Sequence, residues 1–123
     1  MTKQFTIMSA VIHTNREVQL ELENSVDLKD YQPSGQMLVD SDGLSFIYLL
    51  EKDNGYTYIS VPEAFWDTLK EAIVDSLPVI VTNGREQLLL PQFQEELEYL
   101  IDNIKGNSNY GEKMMMKVEA VFE

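Results

Sequence analysis

Two apolar, strand-forming runs joined by a tight polar turn constrain this chain more than any other feature. Leu44–Glu51 and Tyr56–Val61 flank Lys52-Asp53-Asn54-Gly55. Asn-Gly suits a type I′ turn, whose two central residues both take positive φ. A chain holding this hairpin must build a sheet around it. Gln36–Val39 precedes it across a second turn, Asp40-Ser41-Asp42-Gly43, so the three runs are predicted to form a meander.

The N-terminal third adds more strand. Phe5, Ile7, Ser9, Val11 and His13 alternate with Thr6, Met8, Ala10 and Ile12, so both faces of this run are partly apolar. After Thr14-Asn15-Arg16-Glu17, Val18, Leu20 and Leu22 interleave with Gln19, Glu21 and Glu23, the period-2 pattern of a strand with one wet face. A hairpin is predicted here. Asn24–Ser34 reads as a polar connection. Leu77–Thr82 is β-branched, ends at Asn83-Gly84, and can pair with Gln87–Leu90.

Two helices are predicted between and after these strands. Ser60-Val61-Pro62-Glu63 has capping-box spacing with a proline in the first turn, followed by Phe65, Trp66, Leu69, Ala72 and Ile73 on one helical face. Pro91 opens the second, where Phe93, Leu97, Leu100, Ile101 and Ile104 recur at helical spacing and Gly106 suits a left-handed cap. Glu112–Phe122 fits either state. Alternation of Met114, Met116, Val118, Ala120 and Phe122 favours a strand, while Met114, Met115, Val118, Val121 and Phe122 would line a helix. The strand reading misplaces only Met115 and Val121. The expected fold is α+β: an antiparallel sheet of about five to seven strands with two helices on one face. Nothing divides residues 1–123, so a single domain is expected.

Charge narrows the partners. The 21 acidic and nine basic residues leave a net charge of −12, which repels nucleic-acid phosphates and anionic lipid headgroups. Neither nucleic acid nor membrane is therefore expected as a partner. Acidity can instead serve a basic partner or mimic DNA phosphates, although solubility accounts for it more simply. The absence of cysteine excludes disulfides and thiolate chemistry. The opening Met-Thr-Lys-Gln-Phe-Thr-Ile-Met lacks the features of a signal or transit peptide, and no apolar run approaches the roughly 18 residues of a bilayer span. A cytoplasmic location is expected.

Motifs for familiar chemistry fail one by one. Asp40-Ser41-Asp42-Gly43 with Glu51 at the twelfth position suggests a calcium loop, but Leu44 and Ser45 occupy positions that need an oxygen ligand and a glycine. A hairpin turn explains those residues better. His13 is the only histidine, and no serine sits in a nucleophile elbow. No glycine-rich phosphate loop occurs. Glu95, Glu96, Glu98 and Asp102 make the second helix acidic, which reads as a solvated face. No catalytic residue, metal ligand or cofactor is expected. Tyr56 and Tyr58 share one sheet face, so they stay available to a partner if the helices cover the face of Thr57 and Ile59.

Gly35-Gln36-Met37-Leu38-Val39-Asp40-Ser41-Asp42 and Asp102-Asn103-Ile104-Lys105-Gly106-Asn107-Ser108-Asn109-Tyr110-Gly111 resemble the YjbL-type small acidic proteins of Bacillales, found in Bacillus, Staphylococcus and relatives. The resemblance implies a cytoplasmic protein of a low-GC Gram-positive bacterium and assigns no catalytic residue, cofactor or partner. It also draws Asn107, Asn109 and Tyr110 into the candidate surface with Tyr56 and Tyr58. The expected function is a non-enzymatic protein-interaction or regulatory module, binding another protein or itself through an exposed sheet face or edge strand. The alternatives are a small-molecule-binding domain or unfamiliar enzyme, with a pocket between sheet and helices near Asn107–Gly111, and an acidic nucleic-acid mimic.

Overall fold

The computed structural model describes residues 3–122. Eight strands and three α-helices follow in the order β1 (Lys3–Thr6), β2 (Ser9–Ile12), β3 (Val18–Glu21), β4 (Gln32–Asp40), β5 (Ser45–Lys52), β6 (Gly55–Pro62), α1 (Trp66–Val74), β7 (Val79–Thr82), β8 (Gln87–Leu89), α2 (Phe93–Ile104) and α3 (Glu112–Phe122). Short 3₁₀ turns precede α1 and α3. The α+β class is as expected. The single antiparallel sheet is not: the strands form two four-stranded sheets, ordered β1-β6-β5-β4 and β2-β3-β7-β8. Each contains one parallel pair, β1 with β6 and β3 with β7.

The division starts at Ile7 and Met8, inside the run expected to be one strand. Ile7 N–H donates to Ser60 O in the first sheet (3.1 Å), and Met8 N–H donates to Glu21 O in the second (2.7 Å). The inward parity changes at the same point. Ile7 is buried and Phe5 packs inward beside it, whereas Ala10 and Ile12 supply the inward contacts after the switch. Apolar residues on both alternating sets are therefore the trace of a strand that changes sheets. The predicted hairpin survives as β2 and β3, from Ser9↔Glu21 to Ile12↔Val18.

The meander forms as expected, with β5 central. Its turn is shifted by one residue. Positive φ falls on Asp53 and Asn54 (52° and 64°), while Lys52 pairs with Gly55. The type I′ turn is thus Asp53-Asn54, and Gly55 begins β6.

All three helices contribute to one core with the inner faces of both sheets. Trp66 sits at its centre, its ring 4.9 Å from Phe46 on β5 and 6.0 Å from Phe122 on α3, and its indole N–H donates to Val61 O (3.1 Å). This cluster explains why Glu112–Phe122 is a helix and not the expected strand. Met114, Val118 and Phe122 recur every fourth residue and are buried together, while Met116, which the alternating pattern would bury, is 63% exposed. The helix count rises from the expected two to three.

The helix starts also differ. Ser60 lies inside β6, paired with Ile47 and Thr6, so the capping-box spacing is not used as a cap. A 3₁₀ turn over Glu63–Phe65 intervenes before α1, and no side chain caps it. Helix α2 begins at Phe93 after Gln92, which adopts φ 63°. Gly106 has φ +70°, as a left-handed residue after a helix requires.

The β7–β8 turn is pinned by a buried amide. Asn83 Nδ2 donates to Val26 O (2.7 Å) and Glu86 Oε1 (2.9 Å), and its Oδ1 accepts from the N–H groups of Arg85 (2.9 Å) and Glu86 (2.7 Å). Both donors and both acceptor positions are used. Glu86 Oε1 also accepts from Leu28 N–H (3.0 Å), binding the polar connection before β4 to this turn. Asn83→Ala leaves the Val26 carbonyl and two turn amides without these partners. We expect a loss of about 2–4 kcal/mol, read as a lower urea midpoint at unchanged denaturant slope.

Candidate functional site

Alternation along the first sheet decides what its two faces offer. On β5, Phe46, Tyr48 and Leu50 point into the core, so Ile47 and Leu49 point away. On β6, Thr57, Ile59 and Val61 are buried, and Tyr56, Tyr58 and Ser60 take the opposite face. Register places Leu38 beside Ile47 and Ile47 beside Ser60, with Leu49 beside Tyr58 and Tyr58 beside Gln4. The outer face is therefore an apolar and aromatic surface ringed by neutral polar groups. Leu38 is 40% exposed and Tyr56 48%, while Ile47, Leu49 and Ser60 are buried. The charged side chains on this face, Asp40 and Glu51, stand near its opposite ends.

The condition set for Tyr56 and Tyr58 is thus met, since the core covers the other face. Leu38, Ile47 and Leu49 were not singled out from sequence. Their signal was the uninterrupted apolar run through Leu50, which supplies both faces of the central strand.

Asn107, Asn109 and Tyr110 lie elsewhere. They form the 3₁₀ turn between α2 and α3, where Asn107 Oδ1 accepts from Asn109 N–H (3.0 Å) and Asn107 Nδ2 donates to Asn103 O (3.2 Å). A Cβ on Gly111 would contact the Ser41 side chain, so this turn adjoins the β4–β5 turn. The two segments that carry the family resemblance therefore meet. Tyr56 sits at the far end of the same sheet, about 20 Å away along β5 at roughly 3.3 Å per residue. One surface does not unite all five residues. The asparagines make turn geometry, as their own hydrogen bonds show.

Tyr48 occupies a built polar contact beneath β4. Its hydroxyl accepts from Gly35 N–H (3.0 Å) and donates to Pro91 O (2.9 Å), and its ring stacks on Phe93 at 5.9 Å. Gly35 has φ +76°, and a Cβ there would collide with the Gln92 side chain. Burial pushes the phenol above its ordinary value of 10.0; the bond from Gly35 opposes the shift and the Glu96 carboxylate adds to it. This contact ties the strand irregularity at Gly35 to the start of α2.

The clefts offer little convergent chemistry. One of about 270 Å³ lies between β7, β8 and the start of α2, and one of about 420 Å³ between the helices is lined by Lys70, Ile73, Ile101, Asp102, Lys105 and Phe122. Neither reaches Asn107–Gly111, where the ligand-binding alternative placed its pocket. His13 is exposed in the β2–β3 turn. Asp40 Oδ1 accepts from Gly43 N–H (3.0 Å), the geometry of a turn. Among the described residues, no three His, Cys, Asp or Glu side chains group as a metal cluster would. Among them also, no helix is long and apolar enough to cross a membrane.

The sequence matches the model of UPF0738, described as a family of unknown function, over residues 6–122. It is 38% identical to the UPF0738 protein YjbL of Bacillus subtilis (strain 168), covering 99% of each chain. It is 43% identical to a UPF0738 protein of Geobacillus sp. (strain WCH70), covering 77% of each. A Bacillus licheniformis relative shares 44% identity over 78% of this chain and 79% of its own. No solved structure matches the chain.

Titration of Tyr48 tests the contact beneath β4. A native pKa above the unfolded one favours the protonated phenol on folding, so its contribution is complete below about pH 10 and fades as pH rises through the native value. Tyr48→Phe should cost about 1–3 kcal/mol at neutral pH by orphaning Gly35 N–H and Pro91 O. The gap between wild type and variant in urea unfolding should then narrow above about pH 10.

Proposed function

Because the chain belongs to the UPF0738 family, whose function is unknown, we propose a role read from its own surface: a non-enzymatic protein-interaction module of the bacterial cytoplasm. The outer face of the first sheet is its docking surface. The observation that supports this is the distribution of charge. In a chain with 21 acidic and nine basic residues, the centre of this face presents Leu38, Tyr58 and Gln4 around the buried Ile47, Leu49 and Ser60, with no ionised side chain. Interface centres are depleted in charge and enriched in tyrosine for a physical reason: a buried charge loses hydration, whereas a phenol buries ring area and keeps a polar tip.

A second reading has one supporting observation. The cleft between the helices, lined by Ile73, Ile101 and Phe122 and by the charged residues Lys70, Lys105, Glu98 and Asp102, has the balanced charge that suits a small amphipathic zwitterion. Lys105 Nζ already donates to Phe122 O (2.7 Å), which leaves that lysine partly engaged. The acidic-mimic reading predicts a partner held by charge alone.

Affinity capture of the tagged protein from native lysate, at low and moderate salt, separates these readings. The expected outcome is a stoichiometric partner that survives moderate salt and is lost with Tyr58→Glu. A partner lost by salt alone supports the mimic. No partner at either salt sinks the interaction reading, and metabolite-induced thermal stabilisation, abolished by Lys70→Glu, would support the cleft.

A further inference from the structure

Glycine follows asparagine twice in this chain, at Asn54-Gly55 and at Asn83-Gly84. An asparagine carboxamide is open to attack by the backbone nitrogen of the next residue, and glycine, with no Cβ, lets that nitrogen approach most closely. The fold places the two pairs in opposite surroundings. We infer that Asn54 is a self-modifying site, deamidated through a cyclic imide formed with Gly55, while the fold holds Asn83 unreactive. This chemistry needs no partner and is independent of the docking surface.

Asn83 is wholly buried. Its amide is tied to Val26, Arg85 and Glu86. The nitrogen that would attack it is occupied as well, since Gly84 N–H donates to Thr82 Oγ1 (3.0 Å). Ring closure there breaks these bonds inside the protein, so it must await a larger opening of the β7–β8 turn.

Asn54 and Gly55 are both exposed at the tip of the β5–β6 hairpin. Gly55 pairs with Lys52 in the last rung of the ladder, and that rung must open for Gly55 N to reach Asn54 Cγ. The end of a hairpin opens at small cost, because little buried surface is lost.

In the first step Gly55 N gives up its proton to solvent and bonds to Asn54 Cγ, the Cγ–Nδ2 bond breaks, and ammonia leaves. Water then opens the five-membered imide at one of its two carbonyl carbons. Opening at Cγ yields aspartate. Opening at the backbone carbonyl leaves Gly55 N attached to Cγ and yields isoaspartate. Neither step requires an oxidant or any reactant besides water. The backbone carbonyl is the more electrophilic, because the nitrogen on Asn54 Cα withdraws electrons, so isoaspartate predominates. Aspartate tolerates the φ of 64° at residue 54 and adds one negative charge to the existing −12. Isoaspartate adds a backbone carbon too, which a two-residue turn cannot absorb while keeping Lys52 in register with Gly55. Either product sets a new carboxylate between Asp53 and Tyr56 at one end of the first sheet.

Peptide mass mapping of the purified protein, aged in mildly alkaline buffer made with heavy-oxygen water, tests this site. Residue 54 should gain one solvent oxygen in two separable products, and should do so faster as pH rises. Asn83 should react at least about tenfold more slowly in the folded protein. In guanidinium chloride that difference should vanish. Gly55→Ala should slow the reaction at Asn54 by about tenfold or more. The fold accepts this variant, because Gly55 lacks a positive φ and its added Cβ would meet Lys52 O at 3.7 Å; far-UV circular dichroism checks that it folds. An Asn54 that stays intact in the folded protein and reacts only in guanidinium chloride overturns the inference. Equal folded-state rates at Asn54 and Asn83 do the same, as does a folded Gly55→Ala variant that reacts as fast as the parent.

Discussion

Phe46, Trp66 and Phe122 meet ring to ring where β5, α1 and α3 converge, and the arrangement of the layers follows from that contact. Trp66 is fully buried and also spends its indole N–H on the backbone of β6. Sheet and helix are thereby fixed at one point by packing and by a directed hydrogen bond. Phe122 closes the cluster from α3, with its ring 6.1 Å from Phe46. Burying three aromatic rings together outweighs the modest preference of an alternating segment for the extended state, since each ring removes far more apolar area from water than a methyl or thioether does. All three helices are drawn to the inner side, and on the outer face of the first sheet Leu38 and Tyr56 are exposed while Ile47, Leu49 and Ser60 are buried.

Two polar contacts hold the loops around that core. Asn83 uses its whole amide to join the β7–β8 turn to the segment before β4, and Tyr48 joins Gly35 to Pro91. Among the described residues, no buried side-chain nitrogen or oxygen lacks a partner. These groups are engaged in holding backbone, which leaves no spare donor, acid or base among them for chemistry. The reading through surface contact rests on the neutral sheet face.

Legibility varied from element to element for identifiable reasons. The β4–β6 meander was readable because two strong turn signals, Asp40–Gly43 and Lys52–Gly55, separate strand-forming runs. The second helix was readable because Phe93, Leu97, Ile101 and Ile104 leave a single consistent face. Phe5–His13 was misread as one strand because apolar groups on both parities were taken for a two-sided strand, when they record a change of sheet at Met8. Ser60 was misassigned to a helix cap since Ser-x-x-Glu spacing is local, while strand pairing to Ile47 and Thr6 is not. Of the candidate surface, Tyr56 and Tyr58 lie on the outer face of the sheet, where parity put them. Asn107, Asn109 and Tyr110 came from the resemblance and belong to a distant turn.

What the sequence determined by itself is what short-range physics can encode: the α+β class, most turns, the apolar face of the second helix, the excess of negative charge and the family. Tertiary structure decided the rest. It split the strands into two sheets with parallel pairs, because a parallel partner is separated in sequence by a long crossover and leaves no local mark. It made Glu112–Phe122 helical, because a segment with two compatible periodicities takes the one whose face fits the cavity waiting for it. It also chose which face of β5 would be left outside. Both faces are apolar in sequence, and packing such as Trp66 on Phe46 and Phe93 on Tyr48 marks the inner one.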